Sequence, residues 1–226
     1  MYIECMISTT ELSEYFPIWK NLTSEQQNLL AESVIERSFV KGENIHGTGK
    51  SCLGLLIIKS GQLRTYMISD SGREVTLYHL YDREMCLFSA SCIMQNVQFD
   101  VFIEAEKETV AFQIPALLYN KLMNESLPVA KYTNDLMATH FTDVMWLIEQ
   151  ILFKRIDQRL AWFLLEQTKN QDNDTLVMTH ETIAQNLGSA REVVTRMLKY
   201  FQSEKWVSLG RGHIKIENKI HLQRLV

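Results

Sequence analysis

The segment from His180 to Lys199 constrains the fold of this chain more than any other part of its sequence. Ala184 places a small residue where two helices would cross, and Gly188, four residues later, permits a tight turn between them. Apolar residues recur on both sides of that glycine with helical spacing and would hold the two helices together. These residues are Ile183, Leu187, Val194, Met197 and Leu198. The pattern predicts a helix-turn-helix.

Residues with capping chemistry stand at the expected start of each helix. Thr179 is expected to cap the first helix, and Ser189 the second, with Glu192 three residues later completing a capping box. Beyond the second helix, residues 206–217 form two short apolar runs around Gly210–Gly212, which is typical of a β-hairpin wing. A helical hairpin that merely packs against a core is the alternative. The basic second helix and the wing that follows it favour DNA binding.

The second helix is predicted to enter the major groove of duplex DNA, which an α-helix fits. Arginine can donate two hydrogen bonds to guanine O6 and N7, and glutamate can accept one from cytosine N4. Threonine can either form a hydrogen bond or touch a thymine methyl group. The side chains predicted to read base edges are Arg191, Glu192, Thr195 and Arg196. Contacts to phosphates, which position the protein without specifying sequence, are predicted for Lys199, Arg211 and His213.

The charge of the chain is divided unevenly along its length. The whole chain has a formal net charge of −4, which by itself argues against a nucleic-acid partner. Residues 154–226, however, carry 12 Lys and Arg against 8 Asp and Glu, whereas residues 1–153 carry 11 against 19. The C-terminal part is therefore the part of the chain expected to face a polyanion.

The region from about Phe39 to Pro115 has the pattern of short strands separated by turns. Its apolar or alternating segments are residues 43–46, 52–59, 62–69, 74–80, 99–105 and 109–114. Strands of this length and spacing predict a small antiparallel barrel or roll. The stretch before it, residues 23–37, has helical periodicity, with Leu29, Leu30, Val34 and Ile35 on one side.

From Pro128 onward the sequence predicts one helix of about 25 residues, because apolar residues recur with alternating spacings of four and three. Such a heptad-like seam favours a dimer interface, and a long helix packed inside one domain is the alternative. The predicted interface residues are Met137, Phe141, Val144, Ile148 and Ile151. Residues 154–158 are polar and predict a hinge before the next helix.

The chain resembles the CRP/FNR family of bacterial transcription regulators over nearly its whole length. Residues 191–196, Arg-Glu-Val-Val-Thr-Arg, are similar to the recognition-helix pattern of the family. The resemblance implies an α+β protein with an antiparallel β-roll similar to a cyclic-nucleotide-binding domain (1–127), a long dimerisation helix (128–153) and a winged helix-turn-helix (154–226). It also implies a homodimer on a palindromic DNA operator, with RNA polymerase as a further partner.

The resemblance extends to contacts around the recognition helix. It places Thr179 among the phosphate contacts, and Ser189 as well, because Ala190 stands where relatives carry a capping Ser or Thr. Arg191 follows the CRP-like pattern, whereas Thr195 is closer to the Ser of FNR-like members. The operator preference is therefore mixed and is left open.

The resemblance also bears on the effector. Cyclic-nucleotide binders of the family carry a G-E-L-G-L-F segment and then an Arg-Ser pair that holds the phosphate. Here the first segment reads Arg83-Glu-Met-Cys-Leu-Phe88, and the pair falls on Phe99 and Asp100. A phenyl ring and a carboxylate cannot hold a cyclic phosphate, so neither cAMP nor cGMP is the expected effector. The implied pocket, for an unidentified effector, comprises Glu84, Met85, Cys86, Leu87, Phe99, Asp100, Val144 and Met145.

The four cysteines do not form a recognisable metal motif, since Cys5, Cys52, Cys86 and Cys92 include no C-x-x-C pair. Iron–sulfur members of the family cluster three cysteines near the N-terminus, where this chain has Cys5 alone. Some other members are thiol switches, so Cys5 with Cys86 or Cys92 is a second hypothesis, and buried inert thiols are the alternative. No metal or other cofactor is predicted.

Two rival functional classes are also considered. A cupin-like enzyme would need clustered metal ligands, but the six histidines are widely spaced, so no enzymatic activity is expected. A protein-interaction module without DNA binding stays open. The N-terminus lacks a basic region followed by an apolar run, and no apolar stretch could span a membrane, so a cytoplasmic location is expected.

Overall fold

The computed structural model describes residues 8–46, 53–93 and 100–226. The chain divides into two compact units, the first made of Met1–Met67 and Tyr78–Asp143, the second of Ile68–Leu77 and Val144–Val226. This division lies inside the long helix, whereas the domain boundaries expected from the sequence lie at its two ends. It also assigns a short β-hairpin segment, residues 68–77, to the second unit.

The first unit begins with two short helices, α1 (Thr9–Tyr15) and α2 (Ser24–Ser33). A capping box starts α2, in which the Thr23 side chain accepts from the Gln26 amide and the Gln26 side chain accepts from the Thr23 amide. The helix ends at Ser33, so the expected helical stretch to residue 37 was too long. The reason is that Ile35–Phe39 form strand β1, which pairs with a strand far along the chain.

Strands of the first half form two antiparallel sheets, as predicted for a roll. After β1 the strands are β2 (Asn44–His46), β3 (Leu55–Ser60), β4 (Leu63–Ile68), β5 (Glu74–Leu80), β6 (Met85–Cys86), β7 (Phe102–Ala105) and β8 (Thr109–Ile114). Among the described residues, one sheet has the strand order β1-β8-β3-β6 and the other has the order β2-β7-β4-β5. A short 3₁₀ segment, Phe88–Ile93, follows β6.

The core of the first unit lies where the two N-terminal helices and the next helix, α3 (Ala116–Glu125), pack on the β1-β8-β3-β6 sheet. Leu55 and Ile57 of β3 and Phe112 of β8 are almost completely buried there. The buried Tyr119 hydroxyl lies 2.7 Å from Thr133 Oγ1, so a hydrogen bond joins α3 to the helix that follows it. Each such fully buried apolar side chain contributes about 1.5–3 kcal/mol to folding.

The long helix predicted from Pro128 is α4 (Leu127–Phe153), of 27 residues. Among the described helices, none is both long and apolar enough to cross a lipid bilayer. Several apolar side chains of α4 are unusually exposed, including Phe141 at 66% and Ile148 and Ile151 at about 40%. Met137, expected in the same seam, instead packs partly against the core of the first unit.

The second unit contains the C-terminal elements. They are α5 (Ile156–Gln171), β9 (Thr175–Val177), α6 (His180–Leu187), α7 (Arg191–Ser203), β10 (Val207–Gly210), β11 (His213–Ile216) and α8 (Lys219–Gln223). The three strands form one antiparallel sheet in the order β10-β11-β9. Of the expected hinge at 154–158, only Lys154 and Arg155 lie outside a helix, because α5 already begins at Ile156.

Candidate nucleic-acid interface

The first helix of the helix-turn-helix, α6, is fixed at both ends by local hydrogen bonds. At its start the Thr179 hydroxyl accepts from the Thr182 amide at 3.0 Å, as predicted for an N-cap. At its end Gly188 adopts φ +56°, and the amides of Gly188 and Ser189 donate to the carbonyls of Gln185 and Ala184. This arrangement is a Schellman motif, which glycine favours because it adopts a positive φ without steric cost.

The start of the second helix, α7, differs from the sequence-based expectation. Its N-cap is Ala190, and no side chain caps the helix, so the capping box predicted for Ser189 and Glu192 was wrong. The physical reason is that Ser189 already closes the end of α6 through its amide. The next residue, Ala190, has extended backbone geometry and therefore occupies the N-cap position of α7.

The two helices pack through the apolar residues that the sequence indicated. Ile183, Leu187, Val194 and Leu198 are at least 96% buried, and Met197 packs partly buried against the same core. Ala184 is also buried, at 1% exposure, which fits the small residue expected where the helices cross. Packing of this face leaves the opposite face of α7 open.

Five polar side chains of α7 lie on that open face. Four of the five are exposed, and the fifth, Thr195, is half-buried. Together they line one open groove along the helix, whose lining residues are Arg191, Glu192, Thr195, Arg196 and Lys199. This set contains all four residues predicted to read bases and one residue predicted to contact phosphate. An arginine pair, a lysine, a carboxylate and a hydroxyl supply both donors and acceptors for base edges and phosphates.

One residue of this region had no predicted role. His180, the first residue of α6, has its Nδ1 atom 2.9 Å from Thr195 Oγ1 on α7. Burial, followed by the charges of Arg191 and Lys199, lowers the pKa of His180 below its ordinary value of 6.5. The contact joins residues 15 positions apart on two crossing helices, so no local sequence signal could have indicated it.

The wing is the hairpin of β10 and β11, as predicted. Gly210 pairs with His213, and a Cβ atom on Gly210 would lie only 2.0 Å from the His213 ring, so the imidazole lies over this glycine. Arg211, at the tip, is exposed. Both wing residues predicted to contact phosphate are exposed, and His213 in addition packs on its strand partner.

A β-hairpin contacts the helix-turn-helix within the second unit. Gln185 of α6 donates from Nε2 to Glu74 Oε2 of β5 at 3.1 Å. A Cβ atom added to Gly188 would lie 3.1 Å from Val75 Cγ1. This contact gives the glycine at the turn a second reason for being small, beyond its backbone conformation.

The residues expected to form an effector pocket are not all brought together. Met85, Cys86 and Leu87 are buried at 1% exposure or less; Met85 and Leu87 belong to the core described above, whereas Cys86, which pairs with Leu56 of β3, is buried outside it. Glu84 and Asp100 lie on the surface. Phe99 lies outside the described residues, and Val144 and Met145 belong to the second unit.

The environment of Cys86 is unfavourable for a reactive thiol. Its side chain is fully buried, and this burial raises the pKa of the thiol to about 11. A thiol with so high a pKa carries little of the thiolate that attacks disulfides or oxidants. Of its expected partners, Cys5 and the side chain of Cys92 lie outside the described residues.

Two histidines of the first unit, His79 and His140, contact neighbouring side chains. His140 is buried and stacks on Tyr78, with ring centroids 4.2 Å apart and planes within 6° of parallel. His79 Nε2 lies 3.2 Å from Glu106 Oε2. Among the described residues, no group of three or more His, Cys, Asp or Glu side chains is arranged to hold a metal ion.

A helix-turn-helix whose second helix presents a basic, polar face, followed by a β-hairpin wing, defines a winged-helix DNA-binding domain. Residues 158–225 match the model of the Crp-like helix-turn-helix domain. The solved structure of an Eubacterium rectale protein assigned to the CRP/FNR family of transcriptional regulators is 54% identical, covers 94% of this chain and 99% of its own, and has a TM-score of 0.90. This chain belongs to the CRP/FNR family and is a DNA-binding transcription regulator.

Two curated relatives are more distant. The transcriptional activator protein Anr of Pseudomonas aeruginosa is 26% identical over 211 residues, which are 89% of this chain and 85% of the relative. The global nitrogen regulator of Synechococcus elongatus is 24% identical over 195 residues, which are 82% of this chain and 87% of the relative. The similarity to both therefore extends well beyond the winged helix.

Proposed function

We propose that this regulator recognises its operator through the exposed face of α7, inserted into the major groove. Arg191, Glu192, Thr195 and Arg196 contact base edges, and Lys199 contacts the phosphate backbone. The observation that carries the proposal is the open groove that these five side chains line together on the unpacked face of the helix. Arg211 at the wing tip supplies a further phosphate contact.

Three further residues, Thr179, Ser189 and His213, lie outside the groove of α7. Thr179 and Ser189 each have a structural task, the first as N-cap of α6 and the second in the turn after it. Their hydroxyl groups contact phosphate only in addition to these tasks. His213 packs over Gly210 and is exposed, so it can approach phosphate from the wing.

Selection of bound DNA from a random library with purified protein tests the base-reading assignment. Replacing Arg191 or Arg196 by Ala is expected to cost about 1–3 kcal/mol in operator binding and to relax the preference at single base positions. Arg224→Ala is the matched control, because Arg224 is exposed in the same unit but lies outside the groove. Equal losses for all three variants would contradict the assignment.

We further propose that the chain acts as a homodimer joined along α4. The support is the exposed apolar seam, in which Phe141, Ile148 and Ile151 are 40–66% accessible in the single chain. Two parallel helices would bury these side chains against each other and place two recognition helices on half-sites about 34 Å apart. Phe141→Glu with Ile148→Glu should halve the mass measured by light scattering. Leu117→Glu, at an 83% exposed site on α3, is the control and should leave the mass unchanged.

The proposed mode of regulation is an effector or signal received by the roll, other than cAMP. Glu84, the one retained acidic residue of the nucleotide-binding pattern, already accepts a hydrogen bond from the Tyr81 amide at 2.8 Å. Asp100 adds an exposed carboxylate where relatives have a phosphate-binding pair. Calorimetry with cAMP is expected to give no heat of binding at micromolar concentration, and saturable binding there would overturn this statement.

We propose a cytoplasmic regulator without catalysis of its own, which acts on transcription through RNA polymerase. The thiol of Cys86 is unsuited to a thiol switch, because it is buried and its pKa is raised to about 11. DNA binding measured with and without reductant separates the two modes: an unchanged binding constant excludes the thiol switch.

A further inference from the structure

Thr195 differs from the other side chains that line the groove of α7. The two arginines, the glutamate and the lysine are exposed and end in solvent, whereas Thr195 is half-buried. Its hydroxyl oxygen lies 2.9 Å from His180 Nδ1 on the neighbouring helix. The polar atom of Thr195 is therefore held toward α6 before any DNA arrives.

The hydrogen bond between His180 and Thr195 is available in each protonation state of the imidazole, since a protonated ring can donate from Nδ1 to a hydroxyl oxygen. Burial and the positive charges of Arg191 and Lys199, both on α7, keep the pKa of the imidazole below 6.5. A neutral imidazole carries one donor and one acceptor nitrogen, and a hydroxyl group can bond to either. Both tautomers of His180 can thus hold the Thr195 hydroxyl.

Holding the hydroxyl also fixes the methyl group. Threonine carries both groups on Cβ, and they occupy two of the three staggered positions about the first side-chain torsion. Threonine in a helix otherwise divides between two rotamers. An Oγ1 atom bound to His180 selects one rotamer, and that rotamer also fixes the direction of the γ-methyl group.

We propose that His180 is a specificity-determining residue that acts through Thr195: it holds the threonine hydroxyl, so that the γ-methyl group faces the major groove and selects thymine by methyl contact. The thymine C5-methyl group is the apolar feature of the major groove. The inference rests on the proposed base-reading role of α7, and it decides between the two ways in which threonine can read a base.

The experiment uses the full-length protein and the operator selected with it from a random library. Thymines of the operator are replaced by uracil one at a time, which removes only the C5-methyl group. At one position in each half-site the wild-type protein is expected to lose about four-fold in affinity, the factor that corresponds to ~0.8 kcal/mol per buried methylene-sized group. Thr195→Val should keep this loss, because valine retains the methyl group. Thr195→Ser should abolish it while retaining the hydroxyl.

The role of His180 is tested by its coupling to Thr195. His180→Ala is expected to reduce the uracil effect to about two-fold, because Thr195 then divides between two rotamers. In the Thr195→Val background the same His180→Ala substitution should change nothing further, since no hydroxyl remains to be held. A purely structural effect of His180 would appear equally in both backgrounds, and thermal unfolding of each variant shows whether it is folded.

The possible results distinguish a failure of the His180 role from a failure of the proposed base reading by α7. If the wild-type protein selects no sequence, the proposed base reading fails and the inference fails with it. If an operator is selected but Thr195→Ser keeps the uracil effect, or His180→Ala leaves that effect at four-fold, only the inference is overturned. If an operator is selected but no single uracil replacement lowers the affinity, the methyl contact is absent and the inference is likewise overturned.

Discussion

The guanidinium group of Arg159 in α5 donates a hydrogen bond to the backbone carbonyl of Leu187, the last residue of α6. Arg159 is 9% exposed, and burial lowers its pKa. The last carbonyls of a helix have no partner within the helix, so this side chain satisfies a group that would otherwise be buried without one. The bond joins the end of α6, where the turn begins, to α5.

Arg159→Met should destabilise the protein by about 1–3 kcal/mol, because methionine fills much of the space but leaves the Leu187 carbonyl unsatisfied. Urea unfolding followed by circular dichroism measures the change. Arg155→Met is the control at an 81% exposed side chain nearby and should stay within about 0.5 kcal/mol of the wild type. Equal behaviour of the two variants would show that the buried bond contributes nothing.

Ala190→Ser should stabilise the protein by about 1 kcal/mol. Ala190 already has the extended backbone of an N-cap, with φ −85° and ψ 142°, and only lacks a side chain that could accept from the first amides of α7. Ser189→Ala provides the comparison, because Ser189 does not cap this helix. That variant should leave the free energy of unfolding almost unchanged, and a loss near 1 kcal/mol would instead support the capping role expected from the sequence.

Cys86 should make stability fall at alkaline pH. Its pKa is raised from 9.0 to about 11 by burial, so the unfolded chain loses this proton first as the pH rises. The stabilisation is complete below pH 9 and is lost progressively between about pH 9 and pH 11. Because other groups titrate there too, the test compares wild type with Cys86→Ala. The difference in unfolding free energy between them should depend on pH in this interval, and a constant difference would contradict the burial of the thiol.

His140 should make stability fall at acidic pH. Burial lowers its pKa below 6.5, although Asp143 acts in the opposite direction. The unfolded chain therefore takes up the proton first as the pH falls, and the stabilisation is present above about pH 6.5 and lost below it. His140→Phe keeps a ring against Tyr78 and should flatten this part of the pH–stability curve. Asp143→Asn should make this part of the curve steeper. A steeper curve for His140→Phe than for Asp143→Asn would contradict the expectation.

Local signals in the sequence were sufficient for much of the winged helix. Thr179 predicted the start of α6, Gly188 predicted the turn, and the alternation after Trp206 predicted the wing hairpin. Each of these features depends on residues within a few positions of one another. The same holds for α4, whose regular spacing of apolar residues indicated its length.

Features that depend on distant pairing could not be predicted in this way. Ile35 suited a helix face by its spacing, but it pairs with Gln113 of β8, far along the chain. Cys86 was placed on a pocket wall by analogy with relatives, and its complete burial depends on the pairing of β6 with β3, which local spacing does not indicate. The contact of His180 with Thr195 requires the crossing of two helices, which spacing alone does not define.

The turn between α6 and α7 has no spare residue. Leu187 ends one helix, Gly188 and Ser189 close it, and Ala190 already caps the next. One inserted residue would rotate the face of α7 by roughly 100° about its axis, given 3.6 residues per turn. An insertion or deletion in this turn would therefore reorient all five groove-lining side chains of α7 together, whereas a substitution on α7 changes one of them at a time.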